Sequence, residues 1–453
     1  MAAAPLTVVV GAGISGLTCA YALKKSGGNV LVLEAAHRAG GVIRSISDKG
    51  FLCELGPQSF SGTESLLQLC DQLGISGQLI EAPHAAPRYI WLNGKMVAVP
   101  LSPGAFLASP LLGWKTKLSI LTEFFRTSPA PSADESVAAF VRAKFSQELL
   151  DRLVGPFIFG IYAGDPERLS LRAAFPQIYE AQKLSGSVVR GSLRLAGQKT
   201  AANKGRRRPG LFSFQQGNET LTNAIVNVLG SSLRCGVRSS IERQGTQFLL
   251  KLASTAGSET ILADKLVLAT PAPVNSYLFG QLAPSAPWPT FDIEYARVTV
   301  VSLGYRKDQI AADLRGFGFL IPRTENLRTL GCVWNSSLFP GRAPAGNVLI
   351  TGFIGGAGQT NSQPFSKEEN AESVRREVGA ILRISGEPVI EQVTDYSAAI
   401  PQYNLGHNER LDSIQKAVAK VPNLWIVGNY WNGPAIGACI QHSLAVAEQI
   451  PIG

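Results

Sequence analysis

Residues 6–34 read LTVVVGAGISGLTCAYALKKSGGNVLVLE, and this stretch decides the fold of the N-terminal part of the chain. The apolar run at residues 6–10 is typical of a strand buried in a parallel sheet. Helical spacing follows from residue 15 to residue 25, and the pair Gly27-Gly28 ends it. A second apolar run at residues 29–33 completes a strand–helix–strand unit.

Three glycines between the first strand and the helix indicate what this unit binds. Gly11 permits a sharp turn, Gly13 lets the backbone approach a pyrophosphate, and Gly16 lets helix and strand pack closely. The helix N-terminus also favours the phosphate charge. Glu34 lies 23 positions after Gly11, where a carboxylate can accept hydrogen bonds from both ribose hydroxyls. Because it would repel the 2′-phosphate of NADP, Glu34 leaves NAD or FAD as the ligand.

A glycine pair and an arginine follow the second strand, in the segment EAAHRAGGVIRS at residues 34–45. This segment resembles the flavoprotein superfamily of the monoamine oxidases and phytoene desaturases. The resemblance implies FAD, with Gly40, Gly41 and Arg44 at its phosphates and the backbone of Val237 at its adenine. In the C-terminal segment GNYWNGPAIG, residues 428–437, a helix N-terminus would face the pyrimidine end of the flavin. The FAD-binding residues expected on these grounds are Gly11, Ala12, Gly13, Ile14, Ser15, Gly16, Glu34, Ala35, Gly40, Gly41, Val42, Arg44, Gly56, Pro57, Gln58, Ser59, Val237, Gly428, Asn429, Pro434, Ala435 and Ile436.

Further segments narrow the resemblance to the protoporphyrinogen oxidase family. They are GFLCELGPQSF at 50–60, LVGPFIFGIYAGDPERLS at 153–170, GFGFLIP at 316–322, FPGRAP at 339–344 and IPQYNLGH at 400–407. Membership implies an oxidoreductase of haem or chlorophyll biosynthesis. It would oxidise protoporphyrinogen IX to protoporphyrin IX by six electrons, with O2 reoxidising FAD and giving H2O2. The flavin would do the chemistry, so no side chain is expected to act as an acid or base. The resemblance places these residues at the substrate: Arg88, Ala163, Gly164, Leu320, Val333, Phe353 and Gln58.

Two polar residues are the expected anchors for the propionates of the substrate. Arg88 resembles the arginine that pairs with a propionate in the plant enzymes, and a guanidinium offers planar bidentate geometry. Gln58 resembles the amide of the plant enzymes at a position where the animal enzymes carry a basic residue. A neutral amide would hold the second propionate less strongly.

Three alternatives to protoporphyrinogen oxidation stay open at this point. The first is a coproporphyrinogen III oxidase, whose substrate carries two more carboxylates in place of vinyls. The second is an enzyme of the same fold that oxidises amines, as a flavin amine oxidase does, or desaturates a polyene. The third is a flavin-binding scaffold without enzymatic activity.

The expected fold is α/β and α+β, in three parts. A Rossmann-like FAD-binding domain would combine residues 1–80, 211–275 and 395–453. A mixed-sheet substrate-binding domain would combine residues 81–100 and 276–394, and residues 101–210 would form a helical, membrane-associated domain. A chain of 453 residues is long enough for this arrangement.

The segment from residue 101 to residue 126 is rich in Phe, Leu and Trp, and its apolar residues are interrupted by Lys115, Lys117 and Arg126. This pattern is typical of an interfacial amphipathic helix with cations at the lipid headgroups, although a helical subdomain packed on itself explains it equally. The net charge of +9 suits an anionic membrane surface or an anionic substrate. Residues 204–208 form a basic run in loop-like sequence, which favours a solvated loop over a nucleic-acid site.

The remaining composition sets the expected compartment and partners. The six cysteines show no spacing suited to a metal, which predicts buried, reduced thiols and no metal site. The N-terminus shows no signal or transit peptide, so we expect a cytoplasmic protein peripheral on a membrane. Expected partners are the porphyrinogen, molecular oxygen and a membrane surface, without nucleic acid. A homodimer and a contact with a ferrochelatase are left open.

Overall fold

The computed structural model describes residues 4–129, 133–202, 210–255, 257–282, 291–357 and 365–452. Its strands are β1 (Leu6–Val10), β2 (Asn29–Glu34), β3 (Ser45–Asp48), β4 (Phe51–Glu54), β5 (Phe60–Ser61), β6 (Leu79–Glu81), β7 (Arg88–Leu92), β8 (Lys95–Ala98), β9 (Leu211–Phe214), β10 (Leu233–Cys235), β11 (Arg238–Gln244), β12 (Gln247–Ser254), β13 (Gly257–Ala263), β14 (Lys265–Leu268), β15 (Tyr295–Arg306), β16 (Gly318–Leu320), β17 (Thr329–Val333), β18 (Asn347–Gly355), β19 (Ile390–Pro401) and β20 (Leu424–Ile426). Its helices are α1 (Ile14–Lys25), α2 (Glu64–Gln72), α3 (Pro103–Ala108), α4 (Trp114–Glu123), α5 (Val137–Lys144), α6 (Gln147–Leu149), α7 (Gly155–Tyr162), α8 (Leu171–Ala174), α9 (Pro176–Ser185), α10 (Val188–Ala202), α11 (Glu219–Leu229), α12 (Ala272–Leu282), α13 (Asn335–Leu338), α14 (Lys367–Leu382), α15 (His407–Val418) and α16 (Ile436–Ala447).

A parallel five-stranded sheet in the order β10-β2-β1-β14-β20 carries the glycine loop after β1 and Glu34 at the end of β2. Its central strands are buried on both faces because Val8, Val9, Val32 and Val267 have no exposed surface. The chain leaves β1 for β2 on one side, whereas β14 pairs with β1 on the other. Ligands bind in the crevice at such a reversal of strand order. The predicted strand–helix–strand unit and the α/β and α+β fold class are therefore confirmed.

A second, mixed sheet of seven strands has the order β19-β15-β18-β17-β16-β7-β8. Helix α14 covers one of its faces, where Val374 and Val378 pack against Val301 and Leu303 of β15. The opposite face carries Val300 of β15 and Phe353 of β18, which lie directly opposite each other. We call this opposite face the cavity face, because residues expected at the substrate lie on it.

Residues 103–202 are mostly helical, and their core includes Phe140, Ile158 and Leu171. The single amphipathic helix expected within residues 101–126 is divided into α3 and α4. Helix α10 continues to Ala202, and the next described residue is Gly210. The basic run at 204–208 lies outside the described residues.

Two further expectations can be compared with the structure. The six cysteines are free, and five of them are buried, whereas Cys235 is half-buried. The division into three domains stays a prediction. Strand β19 crosses its expected boundary between residues 394 and 395, because the strand continues to Pro401.

Candidate functional site

The glycine loop after β1 has the geometry of a pyrophosphate cradle. Gly11 has a φ of +106°, and a Cβ on it would lie 2.8 Å from the Ala269 carbonyl oxygen. A Cβ on Gly16 would lie only 2.0 Å from the Gly11 carbonyl oxygen, so this glycine is required by packing within the loop. A Cβ on Gly13 would meet no protein atom within 4 Å. Gly13 therefore faces open space at the N-terminus of α1, where a phosphate fits.

Glu34 is fixed by two backbone groups at the end of β2. Its Oε2 accepts a hydrogen bond from the Ala12 N–H at 2.7 Å, and its Oε1 accepts one from the Ala36 N–H at 2.8 Å. Each oxygen keeps lone-pair capacity for a ribose hydroxyl. The Val237 N–H donates to the Glu34 carbonyl at 2.9 Å. Val237 therefore lies next to the ribose position, with its N–H already engaged.

The glycine pair after β2 closes the cradle from the other side. Gly40 and Gly41 have φ values of +101° and +59°, and the Gly40 N–H donates to the Ala12 carbonyl at 2.8 Å. Arg38, which the sequence analysis missed, donates to the Ala39 carbonyl at 2.7 Å and the Gly41 carbonyl at 2.5 Å. It thus fixes the turn whose glycines the resemblance assigns to the phosphates. Only the position of Arg38, four residues after Glu34, could have signalled this role.

Gln58 lies in the turn after β4, between the two halves of the fold. Its Nε2 donates to the Glu54 and Gly56 carbonyls at 3.0 and 2.8 Å, so both amide hydrogens are engaged. Its Oε1 accepts from Nδ2 of Asn335 at 2.6 Å, and Thr351 of β18 donates to the Asn335 amide oxygen at 2.8 Å. The contribution of Gln58 to substrate binding stays a prediction. The observed contacts use its amide to connect the turn after β4 with the seven-stranded sheet.

The C-terminal turn leads into α16 with a helix N-terminus that no side chain caps. Ala435 is the N-cap residue and is exposed, and the first turn of α16 carries no acidic residue. Gly433 has a φ of +112°, which a side chain would strain. An uncapped helix N-terminus favours negative charge. The residues expected at the pyrimidine end of the flavin therefore suit an electron-rich ring.

Four of the residues expected at the substrate share the cavity face of the seven-stranded sheet. Gly318 of β16 pairs with Arg88 on one neighbouring strand and with Val333 on the other. Leu320 lies two residues further along β16 and pairs with Gly331. Gly331 in turn lies opposite Phe353. Directly opposed residues, and residues two apart on one strand, point to the same face. The residues that share this face are Arg88, Leu320, Val333 and Phe353.

Ala163 and Gly164 lie at the end of α7, beside this face. Ala163 is a left-handed C-cap with a φ of +45°, and it packs in the same apolar cluster as Phe353. A Cβ on Gly164 would lie 2.8 Å from Oε1 of Gln402, so the backbone is closely packed there. The structure therefore brings the expected apolar wall and the expected backbone approach together.

Tyr396 is a residue of the cavity face that the sequence analysis missed. It lies opposite Val298 of β15, and it packs in the cluster with Phe353 and Ala163. Burial raises the pKa of its phenol, and the positive charges of Arg38 and Arg44 act in the opposite direction. Tyr396 therefore lies on the cavity face within electrostatic range of Arg38 and Arg44.

Known proteins identify the class that this fold and site define. The chain matches the family model described as flavin containing amine oxidoreductase over residues 14–451, and it belongs to that family. It is accordingly an FAD-dependent oxidoreductase, as the sequence predicted. The glycine cradle, with Gly13 facing open space, fits this cofactor. Bound FAD supplies a ring that takes up a hydride and passes electrons to an acceptor.

Proteins similar to the chain include porphyrinogen oxidases. The chain is 33% identical over 469 residues to protoporphyrinogen oxidase 1, chloroplastic, of Arabidopsis thaliana, covering 98% of this chain and 87% of the relative. It is 25% identical to the coproporphyrinogen III oxidase of Bacillus subtilis, with 97% of each chain covered. A crystal structure from Exiguobacterium sp. 255-15 matches with a TM-score of 0.83 at 23% identity, covering 99% of this chain and 98% of that one. This last likeness shows the fold alone.

Proposed function

We propose that this protein oxidises protoporphyrinogen IX to protoporphyrin IX, with FAD as cofactor and O2 as the final acceptor. The substrate loses six electrons and six hydrogens in all, and three O2 are reduced to three H2O2. The observation that carries the proposal is the apolar cavity face, on which Leu320, Val333 and Phe353 share one side of the sheet with Arg88. The 33% identity to plant protoporphyrinogen oxidase over nearly the whole chain supports it.

The apolar and charged residues of the cavity face would bind different parts of the substrate. The apolar side chains hold the flat macrocycle, and the guanidinium of Arg88 pairs with one propionate. Arg88 is exposed, and its guanidinium lies 4.9 Å from the centre of the Phe317 ring, which keeps the planar group aligned. In this proposal the paired propionate points away from the flavin, so that a methylene bridge carbon would face the ring.

Oxidation of coproporphyrinogen III is the second candidate function, because the chain is also similar to a coproporphyrinogen III oxidase. Its two additional propionates would meet Leu320, Val333 and Phe353 where the vinyl groups of protoporphyrinogen make apolar contacts. Purified holoprotein should therefore oxidise protoporphyrinogen IX with a higher kcat/KM than coproporphyrinogen III. The fluorescence of the porphyrin product measures both rates. Consumption of coproporphyrinogen III alone would overturn the proposal.

We further propose that α4 and the residues after it bind an anionic membrane surface. Among the described residues, none of the helices is both long and apolar enough to cross a bilayer. Trp114, Leu118, Leu121 and Phe125 follow helical spacing and are 70%, 61%, 49% and 80% exposed. Such a stripe suits insertion at the headgroup level.

Lys117, one of the three basic residues expected at the lipid headgroups, does not lie at the protein surface. Lys117 is buried, and its Nζ donates to the Leu107 and Ser109 carbonyls at 2.7 and 2.8 Å, so the expectation for Lys117 was wrong. Its ammonium satisfies the backbone at the end of α3. Lys115 and Arg126 are exposed and keep the proposed role.

Cosedimentation with anionic vesicles tests the membrane proposal. The double variant Trp114→Ser, Phe125→Ser should lose most of its binding at low salt. The matched control Val274→Ser, Tyr277→Ser removes side chains that are 44% and 68% exposed on α12, and it should bind like the unmodified protein. Equal binding by both variants would overturn the proposal. A homodimer and a contact with a ferrochelatase stay predictions.

A further inference from the structure

We infer that Tyr403 is a positioning residue that sets the flavin-facing turn at residues 429–433, and through it the N-terminus of α16. The inference rests on the family's flavin and not on the identity of the porphyrinogen. Tyr403 belongs to neither the cavity face nor the glycine cradle. It lies two residues after the end of β19 and is 2% exposed.

The hydroxyl of Tyr403 joins the two ends of this turn. It donates to the Asn429 carbonyl at 2.7 Å and accepts from the Gly433 N–H at 2.8 Å. A single side-chain atom therefore fixes the separation of two backbone groups four residues apart. Without it, the half-buried N–H of Gly433 and the half-buried carbonyl of Asn429 would lose this partner.

Three other side chains hold the same turn from outside. The His407 ring packs 4.2 Å from the Tyr403 ring, and its Nε2 forms a 2.9 Å hydrogen bond with the Tyr430 carbonyl. Asn275 donates to the Tyr430 hydroxyl at 2.7 Å, and the Tyr295 hydroxyl donates to the Asn429 amide oxygen at 3.3 Å. The turn is thus held on several sides. Among the side-chain hydrogen bonds of the described residues, those of the Tyr403 hydroxyl join its two ends.

The origin of these side chains links the turn to the substrate-binding sheet. Tyr295 opens β15 and pairs with Pro401 at the end of β19, two residues before Tyr403. The same two strands carry Val300 and Tyr396 on the cavity face. Tyr403 therefore connects the turn at residues 429–433 with the two strands that carry part of the cavity face. Its hydroxyl fixes how the uncapped N-terminus of α16 meets the flavin.

The variant Tyr403→Phe tests this inference, and Tyr162→Phe is its matched control. Tyr162 packs 5.6 Å from Tyr403 and is 5% exposed, but its hydroxyl donates to the Ala174 carbonyl, away from the turn. In the apoprotein, hydrogen exchange of the Gly433 amide should become roughly fivefold to tenfold faster in Tyr403→Phe, because one hydrogen bond is lost. In the holoprotein, the flavin reduction potential should shift to more negative values, because the reduced ring loses stabilisation by the helix N-terminus.

Each outcome decides for or against the positioning role. If Tyr403→Phe matches Tyr162→Phe both in Gly433 exchange and in reduction potential, the inference is overturned. If Tyr403→Phe does not fold, the unmodified apoprotein decides, because its Gly433 amide should exchange far more slowly than the amide of exposed Asn432. Equal exchange of these two amides would overturn the inference without any variant.

Discussion

Arg342 lies 3.2 Å from Glu54, and each side chain is 1% exposed. The pair fixes the start of the turn that contains Gln58, because Glu54 also accepts hydrogen bonds from the Ser45 hydroxyl at 2.7 Å and the Asn218 N–H at 2.9 Å. Arg342→Met removes one partner of a buried ion pair and leaves the other uncompensated. We expect the free energy of unfolding to fall by about 3–5 kcal/mol, measured by urea denaturation.

The same variant should show a diagnostic dependence on pH. Burial raises the pKa of Glu54, and the charge of Arg342 counteracts this effect. Without Arg342 the folded-state pKa rises further above the unfolded value, so stability is lost as pH increases through it. The deficit of Arg342→Met should therefore be smaller at pH 5 than at pH 8. A deficit that does not change with pH would contradict this account.

The glycine cradle predicts opposite behaviour for two alanine variants. A Cβ on Gly13 meets no protein atom within 4 Å, whereas one on Gly16 lies 2.0 Å from the Gly11 carbonyl oxygen. Gly13→Ala should therefore unfold like the unmodified apoprotein but retain little FAD, because its methyl group occupies the phosphate position. Gly16→Ala should lower the melting temperature of the apoprotein itself. Thermal unfolding of the apoprotein and flavin absorbance of the purified holoprotein separate the two effects.

Glu34→Gln should weaken FAD binding through the backbone as well as the ribose. Both carboxylate oxygens accept an N–H, from Ala12 and Ala36. The side-chain amide of glutamine has a single oxygen acceptor. Its NH2 group would therefore lie against one of these two backbone N–H groups, so that two donors would meet. We expect FAD affinity to fall by roughly 10- to 100-fold, since hydrogen bonds to charged groups contribute about 1.5–3 kcal/mol. Titration of apoprotein with FAD measures this, with exposed Glu180→Gln as the control.

Arg88 should affect substrate binding more than turnover. Arg88→Met removes the charge, and Arg88→Lys keeps the charge but loses the bidentate geometry. We expect KM for protoporphyrinogen to rise roughly 10-fold or more in both variants, with Lys the milder change and kcat altered less. Arg315→Met removes an arginine that is 90% exposed beside Asp313, and it should leave KM unchanged. A fall in kcat without a rise in KM would contradict the anchoring role.

Sequence alone predicted the nucleotide cradle because its determinants are local. The glycines, the helix N-terminus and Glu34 lie within one strand–helix–strand unit, whose geometry fixes their relation. The pairing of Arg342 with Glu54 joins residues far apart in the chain, so no periodicity in the sequence indicates it. Tyr396 was missed for a different reason. The pairing of β19 with β15 shifts register between Ala296 and Val298, which breaks the alternation that would have shown its face.

His407 should make the protein less stable in acid. Its ring is 1% exposed, and burial lowers its pKa to about 4. Because the unfolded chain binds the proton more readily, with a pKa of about 6.5, stability is fully present above that value and is lost as pH falls toward 4. The difference corresponds to about 3 kcal/mol. Chemical denaturation between pH 7 and pH 4 measures this loss. In His407→Gln, the free energy of unfolding should depend less on pH over this range.

Burial also lowers the pKa of His442, so a pH dependence of the same sign but smaller size should remain in the variant. A variant that loses stability in acid as steeply as the unmodified protein would assign the effect to other groups.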